Sequence, residues 1–417
     1  MKKTILGLAL FLTTNFALAT TMVVSSEADS GAGSLRIALE AGAKRIFISP
    51  SVGTIYLEEP LIYSGTHKVS IYGKNQTIDG SKLDEGEDIL SFTGGPNIEI
   101  RNLKFVGNAR GFNPNPTIPI RGKGIEVLVP FEKTGLVKVK LIDVMVTRTN
   151  FHGIHISDCT LGDECGSGSG GGGDGSPASI SLRLDRVTIN DSGFGGADSD
   201  GVRVDDRGEG NIYFLAKDSA FINNGADGVE LDEGNDGDVV AKVVDSLFDS
   251  NGEYCILIPS FAGTPCDDDG DADVDDGFDI DEAGEGILYA KIIDTDVTNN
   301  FDEGLDFDTE DAGGAEVVVS GVFASDNEDE GLKISEEGSG SVNARLINFV
   351  SVDNNGNSEG IEIEEENDGN LVVDVIKSNM IGGSDEELKL EQMDAGTGTV
   401  KLKKSTVVLD LDGVTEL

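Results

Sequence analysis

Among 417 residues there is no tryptophan, and there are only three histidines and four cysteines. Without tryptophan the largest aromatic stacking surface is missing, and that role falls to Tyr254, Phe151 and Phe194. Bases are scarce too: Lys+Arg 31 stand against Asp+Glu 77, a formal net charge of −46. Such a chain repels nucleic acid and anionic lipid and favours cations or neutral or basic partners. Adaptation to a salty medium would give the same excess with no partner at all. Beyond the first 19 residues no apolar run approaches the roughly 20 residues a membrane span needs.

Those first residues have the pattern of an export signal. Lys2 and Lys3 precede an apolar run at 5–12, and Ala17-Leu18-Ala19 offers small residues for cleavage. A secreted or periplasmic protein starting at residue 20 is expected. In an oxidising compartment Cys159, Cys165, Cys255 and Cys266 allow three connectivities. The two local pairings, Cys159–Cys165 and Cys255–Cys266, would each clip the base of a polar loop.

What the chain has in quantity is glycine and self-similarity. The segments "NNGADGVELDEG" (223–234), "NNFDEGLDFDTE" (299–310), "DNEDEGLKISEE" (326–337) and "NNGNSEGIEIEEE" (354–366) share one frame. Anchored on glycine, the step is 27 residues from Gly201 to Gly228 and from Gly304 to Gly331, 29 from Gly331 to Gly360 and 27 again to Glu387, with Cys255 taking the anchor position 27 after Gly228. A second strand precedes each anchor and ends on Asn224, Asn251, Asn300, Asn327 or Asn354. Equivalent asparagines at one coil spacing predict amide-to-amide hydrogen bonds up a stack. A short-strand repeat of this length is one turn of a solenoid.

Alternation turns Val229 and Leu231 inward and Glu230 and Asp232 outward. Stacked coils then form outward columns. Two positions past the anchor stand His155, Arg203, Glu230, Leu257, Asp306, Lys333, Glu362 and Lys389, mostly alternating in sign. Alternation is what stacked strands favour, so Lys333 and Lys389 read as neutralised partners. One position before the anchor stand His152, Asp200, Asp227 and then further acids, and four past it stand Asp205, Asp232 and Asp308. Stacked like charges oppose folding unless a hard divalent cation, calcium in an exported protein, neutralises them or salt screens them.

At this point the chain resembles the right-handed parallel β-helix proteins of the pectate-lyase-like superfamily, over roughly residues 44 to 404. "KVSIYGKNQTIDG" (68–80) and "PNIEIRNLKFVGNARG" (96–111) carry the likeness beside the repeat. The expected fold is all-β: a single-stranded right-handed parallel β-helix solenoid of about twelve coils, with an N-terminal helical cap. The expected division is a signal peptide (1–19), a cap (20–43) holding the amphipathic "GSLRIALEAGA", the β-helix (44–404) and a C-terminal edge strand (405–417) open to self-association.

Two insertions interrupt the rhythm. "CTLGDECGSGSGGGGDGSP" (159–177) reads as a linker or a lid. "CDDDGDADVDDGFDIDEAGEG" (266–286) spaces Asp267, Asp269, Asp271, Asp273 and Asp275 as an oxygen-rich calcium ligand set without an EF-hand's glycine position. With Cys255 as anchor, both loops would leave after the anchored strand and flank a groove. That groove would hold His152, His155, Arg203, Asp200, Asp227, Asp205 and Asp232. A base, an acid and a cation there could cleave a glycosidic bond. Resemblance to the polygalacturonases implies that Asp200 of "DSDG" and Asp227 of "GADG" are the acid and base, with "FHGIHIS" as the His-Gly element. A lyase would instead use Arg203 or His155 beside calcium; the plainer role for Arg203 is a salt bridge to Glu230. Two functions follow: a protein that binds or cleaves extracellular polysaccharide with bound calcium, or a non-catalytic cation-binding surface protein.

Overall fold

The computed structural model describes residues 20–115, 118–159, 175–258, 275–354, 360–382 and 387–417. The signal-like segment, Cys165, Cys266, Asp267, Asp269, Asp271 and Asp273 lie outside the described residues. So do the two local disulfide pairings, although neither Cys159 nor Cys255 is a free thiol.

The strands are short, rich in Val and Ile, and pair in parallel into one sheet of 21 strands and one of 12. Each coil gives one strand to the 12-stranded sheet, from Leu61–Tyr63 to Leu409–Asp412, so the twelve coils expected from the repeat are present. The chain is a parallel β-helix. Inward residues alternate along each strand and fuse into one continuous core. Phe221, Phe248 and Phe278 stack in it at 4.9 and 5.5 Å. The bends between strands use residues in the left-handed region, where Asp and Asn cost least, two per coil from Asp218 and Asn223 to Asn348 and Asp353. Asp218, Asp245, Asp294 and Asn348 occupy one such line at φ of 49, 51, 47 and 50°.

The segment 20–43 is more than a helix. Thr21–Val24 pairs with Arg45–Ile48 and adds a strand to the larger sheet. The helix Leu35–Glu40 starts on Ser34, whose side chain accepts from the Ile37 N–H, and buries Leu35, Ala38 and Leu39.

One anchor needs correcting. Gly277, not Cys255, follows Gly228: Val229 pairs with Phe278, and Phe278 with Leu305. That coil takes 49 residues, the separation of Asn251 from Asn300. Cys255 lies in the helix Glu253–Ile256. Local glycine-free sequence at 253–256 favours a helical turn, while 276–282 alternates acid with apolar residue as a strand. Glycine is required at Gly228 because a Cβ there would lie 2.5 Å from the Gly277 carbonyl and 2.8 Å from Asn251 Nδ2. In chain order the acidic insertion therefore precedes its strand, whereas the glycine insertion follows one.

The asparagine stack is as predicted. Nδ2 of Asn224, Asn251, Asn300 and Asn327 each donates to Oδ1 of the next asparagine, at 2.9, 2.9, 2.9 and 2.7 Å. Backbone N–H groups of the same residues donate to the same oxygens. All five asparagines are buried. Asn300→Ala removes the acceptor for two donors of Asn251, so a loss of about 2–4 kcal/mol is expected from chemical denaturation. A loss under about 0.5 kcal/mol would mean that the ladder is incidental.

Candidate functional site

The outward wall of the 12-stranded sheet holds the expected residues in register. His155 pairs with Arg203, Arg203 with Glu230, Glu230 with Asp279 and Asp279 with Asp306. Asp205, Asp232, Asp281 and Asp308 form the neighbouring column. Asp279 thus replaces Leu257, which the anchor on Cys255 had placed there, and Asp281 stands between Asp232 and Asp308.

Arg203 sits at the centre and is 3% exposed. Its Nε donates to Asp205 at 2.8 Å, Nη2 to Asp232 at 3.2 Å, and Nη1 to Asp198 at 2.5 Å and to Glu230. Asp200 lies 3.7 Å from Nη1. Burial opposes the cation, but the surrounding carboxylates win and hold its pKa well above the usual value. Arg203 is a charged strut, not a free base.

The histidines are buried and neutral. His152 Nδ1 accepts from the Asp200 N–H at 3.1 Å, and its pKa is driven well below normal by burial and then by His155. His155 Nε2 lies 2.6 Å from Asp205 Oδ2; burial and then Lys123 lower its pKa. Burial alone would raise Asp205, but Arg203 and His155 pull it well below the carboxylate range. Asp200 goes the other way, pushed up to about 7 by burial and then by Asp198. Asp232, which also meets Arg207, is pushed to about 6 by burial. Asp227 accepts the Asp276 N–H at 2.5 Å. A protonated Asp200 and an ionised Asp205 on one wall are the split that acid–base chemistry uses.

Access is the missing element. Asp200, Asp205 and Asp232 are fully buried, and His155, at 9%, is the most open of the set. Part of the cover is visible. Asn113 N–H donates to the Phe194 carbonyl at 2.9 Å, Ile120 N–H to Gly195 at 2.9 Å, and the Tyr254 hydroxyl to the Asn113 carbonyl at 2.8 Å. Tyr254 and Phe151 are therefore buried, not stacking platforms. Surface cavities of about 470 Å³, beside Gly338 and Asp368, and about 460 Å³, beside Glu27 and Tyr56, lie away from this wall.

Among the described residues, four carboxylate triads bring their oxygens within 4.8 Å of one another. Three contain a base of the chain. Arg203 bridges Asp198 and Glu230; Lys333 meets Asp306 at 2.7 Å and Glu303 at 3.2 Å; Lys389 meets Glu362, Glu364 and Glu391. Lys333 and Lys389 are thus the neutralising partners expected of them. The fourth triad, Glu230, Asp279 and Asp281, shares Glu230 with Arg203 and offers in Asp279 and Asp281 the hard oxygen donors that suit Ca²⁺. Asp275, half-buried, is the described member of the acidic run. Asp205 and Asp232 turn oxygens toward Arg203.

The sequence reading missed a second acid column, inside the helix. Five positions past the anchor stand Asp206, Glu233, Glu282, Thr309, Glu336, Glu365 and Gln392, the last at 8% exposure and the rest at 0–1%. Their register is continuous where paired. Each is followed four residues later by glycine, from Gly210 to Gly396. The carboxylates cap these turns: Glu336 Oε1 accepts Gly338 N–H at 3.0 Å and Gly340 N–H at 2.8 Å, and Glu365 accepts Gly369 N–H at 2.6 Å. A Cβ at Gly340 would come within 2.7 Å of Glu336 Oε1. Burial raises Asp206 and Glu282 to about 8, Glu233 to about 10 and Glu336 to about 7. The repeated acid-to-glycine spacing of four was the signal available in the sequence.

No family model and no curated protein matches the chain. Similar solved structures include ORF18 of Geobacillus virus E2, at 12% identity and TM-score 0.42 over 79% of this chain and 62% of that one. Full-length tailspike protein 2 of Escherichia coli O157:H7 bacteriophage CAB120 has 12% identity and TM-score 0.42 over 88% and 40%. Polygalacturonase from Erwinia carotovora ssp. carotovora has 11% identity and TM-score 0.42 over 96% of each chain. The chain spans less than two thirds of the length of the two viral proteins. These are likenesses of backbone course.

Proposed function

We propose that this right-handed parallel β-helix is an exported protein that binds extracellular polysaccharide without cleaving it at the Asp200–Arg203 wall. Its coils are closed at the start by the helix Leu35–Glu40, and calcium is held by Glu230, Asp279 and Asp281. The glycan class comes from the superfamily resemblance of 68–80 and 96–111. The choice of binding over cleavage rests on one observation: Arg203 is enclosed by Asp198, Asp205, Glu230 and Asp232 at 3% exposure. A lyase needs a base that can reach the sugar, and a hydrolase needs Asp200 to meet the glycosidic oxygen.

A polysaccharide panel tests this directly. Binding with no new reducing ends or unsaturated products is expected. Turnover that disappears in Asp200→Asn at unchanged melting temperature would restore the enzyme reading. No binding to any glycan would leave the non-catalytic cation-binding surface protein.

Calcium is tested separately. Bound calcium at 100 times its Kd would stabilise the fold by about 2.7 kcal/mol. The melting temperature is therefore expected to rise by several degrees in calcium relative to chelator, and the rise to vanish in Asp279→Asn. An equal rise in both proteins would place the ion elsewhere, and no rise would remove it.

A further inference from the structure

On the larger sheet the scarce bases gather in one line. Reading along the register, Lys140 pairs with Arg183, Arg183 with Leu215, Leu215 with Lys242 and Lys242 with Lys291. The line continues through Val318, Arg345, Asp374 and Lys401. Six of these nine outward positions are basic and one is acidic, in a chain with 77 acids and 31 bases. At about 4.8 Å per coil the line runs about 38 Å, straight along the solenoid.

Neutralisation does not explain it. A ladder would alternate signs, as Lys333 and Lys389 do on the other sheet. Here Lys242 lies directly against Lys291, and Lys140 against Arg183, contacts that oppose folding. Among the described residues only Arg183 and Arg345 of the six have an ion pair, at 3.5 Å to Asp185 and 3.7 Å to Asp374. Beside the line, Tyr213 and Tyr289 stand two coils apart in one column, 37% and 39% exposed.

We infer that this face is a docking surface for a linear anionic polysaccharide, whose charged groups meet the Lys140–Lys401 line while sugar faces pack on Tyr213 and Tyr289. The length and straightness of the line fit an extended polymer. Charge complementarity selects a polyanion, which the protein's net charge would otherwise repel. A second copy of the chain is disfavoured as the occupant, because the dense acidic wall it would need to present is buried. The inference rests on the proposed glycan binding for the polymer class, and it places the contact on a different sheet from the carboxylate wall.

The test titrates the full chain with polygalacturonate, dextran and duplex DNA, alongside the double variant Lys242→Gln/Lys291→Gln. Expected is binding of polygalacturonate but not dextran. It should weaken at least about ten-fold in the variant. It should also weaken as salt rises from about 0.1 M to about 1 M, which cuts the Debye length from about 10 to about 3 Å. The variant's melting temperature should hold or rise, since a like-charge contact is relieved. Unchanged affinity in the variant overturns the docking surface while leaving glycan binding intact. Equal binding of dextran overturns the anionic assignment, and equal binding of DNA overturns the glycan assignment. A salt-sensitive dimer lost in the variant would make the occupant a second copy. Failure of the wild-type chain to bind any glycan removes this inference and the proposed function together.

Discussion

Replacing Arg203 by methionine is expected to cost the fold about 3–5 kcal/mol or more at neutral pH. Methionine fills the space of the alkyl stem but leaves Asp198, Asp205, Glu230 and Asp232 without the guanidinium that each of them contacts. Taking a partner from a buried charge network costs more than the network contributes, because the remaining charges have no water to turn to. Protons are the alternative ligand, so the deficit should shrink toward pH 5. The sign follows from Asp205, whose folded pKa lies far below its unfolded value. Its stabilisation is present above about pH 4 and is lost as pH falls through the folded pKa. Without Arg203, burial lifts that pKa above the unfolded value, so the folded variant binds the extra proton and regains stability as pH falls from 7 to 5. Urea denaturation at pH 7 and pH 5 decides it. A deficit below about 1 kcal/mol, or one equal at both pH values, would contradict a strut role.

The interior acid column predicts a large effect of opposite sign: melting temperature should fall by about 10 °C or more between pH 5 and pH 9. Asp206, Glu233, Glu282 and Glu336 have folded pKa values raised to about 8, 10, 8 and 7, chiefly by burial. Each is neutral in the folded chain while its unfolded counterpart ionises near pH 4. The folded state then binds more protons, and stability falls with rising pH by about 1.4 kcal/mol per unit per group. The full contribution is present below about pH 4 and is lost as pH rises through the folded values, over about pH 4 to 10. Glu233→Gln and Glu336→Gln should flatten the fall, because glutamine keeps a carbonyl acceptor for the turn N–H groups and cannot ionise. Gln392 already stands at the end of the column as an uncharged amide, its Oε1 accepting the Leu371 N–H at 2.9 Å. Glu316→Gln, which removes an exposed charge, controls for net charge. A slope that both interior variants leave unchanged would show that overall charge repulsion, not the column, sets the profile.

The two effects share a cause that composition hides. A carboxylate's behaviour depends on what it faces. Asp205 faces Arg203 and stays ionised, while Asp206, the next residue, turns inward against Gly208 and takes a proton. Strand alternation separates them, since both lie in the strand Val202–Asp206 and successive side chains leave opposite faces.

By itself the sequence determined the coil. A period of 27 residues, the apolar alternation and the asparagine spacing each constrain the backbone locally, and all demand the same stack. The columns from His155 to Asp306 therefore stood in register before any coordinate was known, apart from the coil where Cys255 was mistaken for Gly277. Only the tertiary structure decided which charges meet water. Burial of the wall is set partly by Asn113 and Ile120 lying on Phe194 and Gly195, contacts about 80 residues apart in sequence that no periodicity encodes. The basic line from Lys140 to Lys401 is likewise invisible in a net charge of −46. Its members are 27 to 49 residues apart in sequence, and stacking brings neighbouring coils to about 4.8 Å.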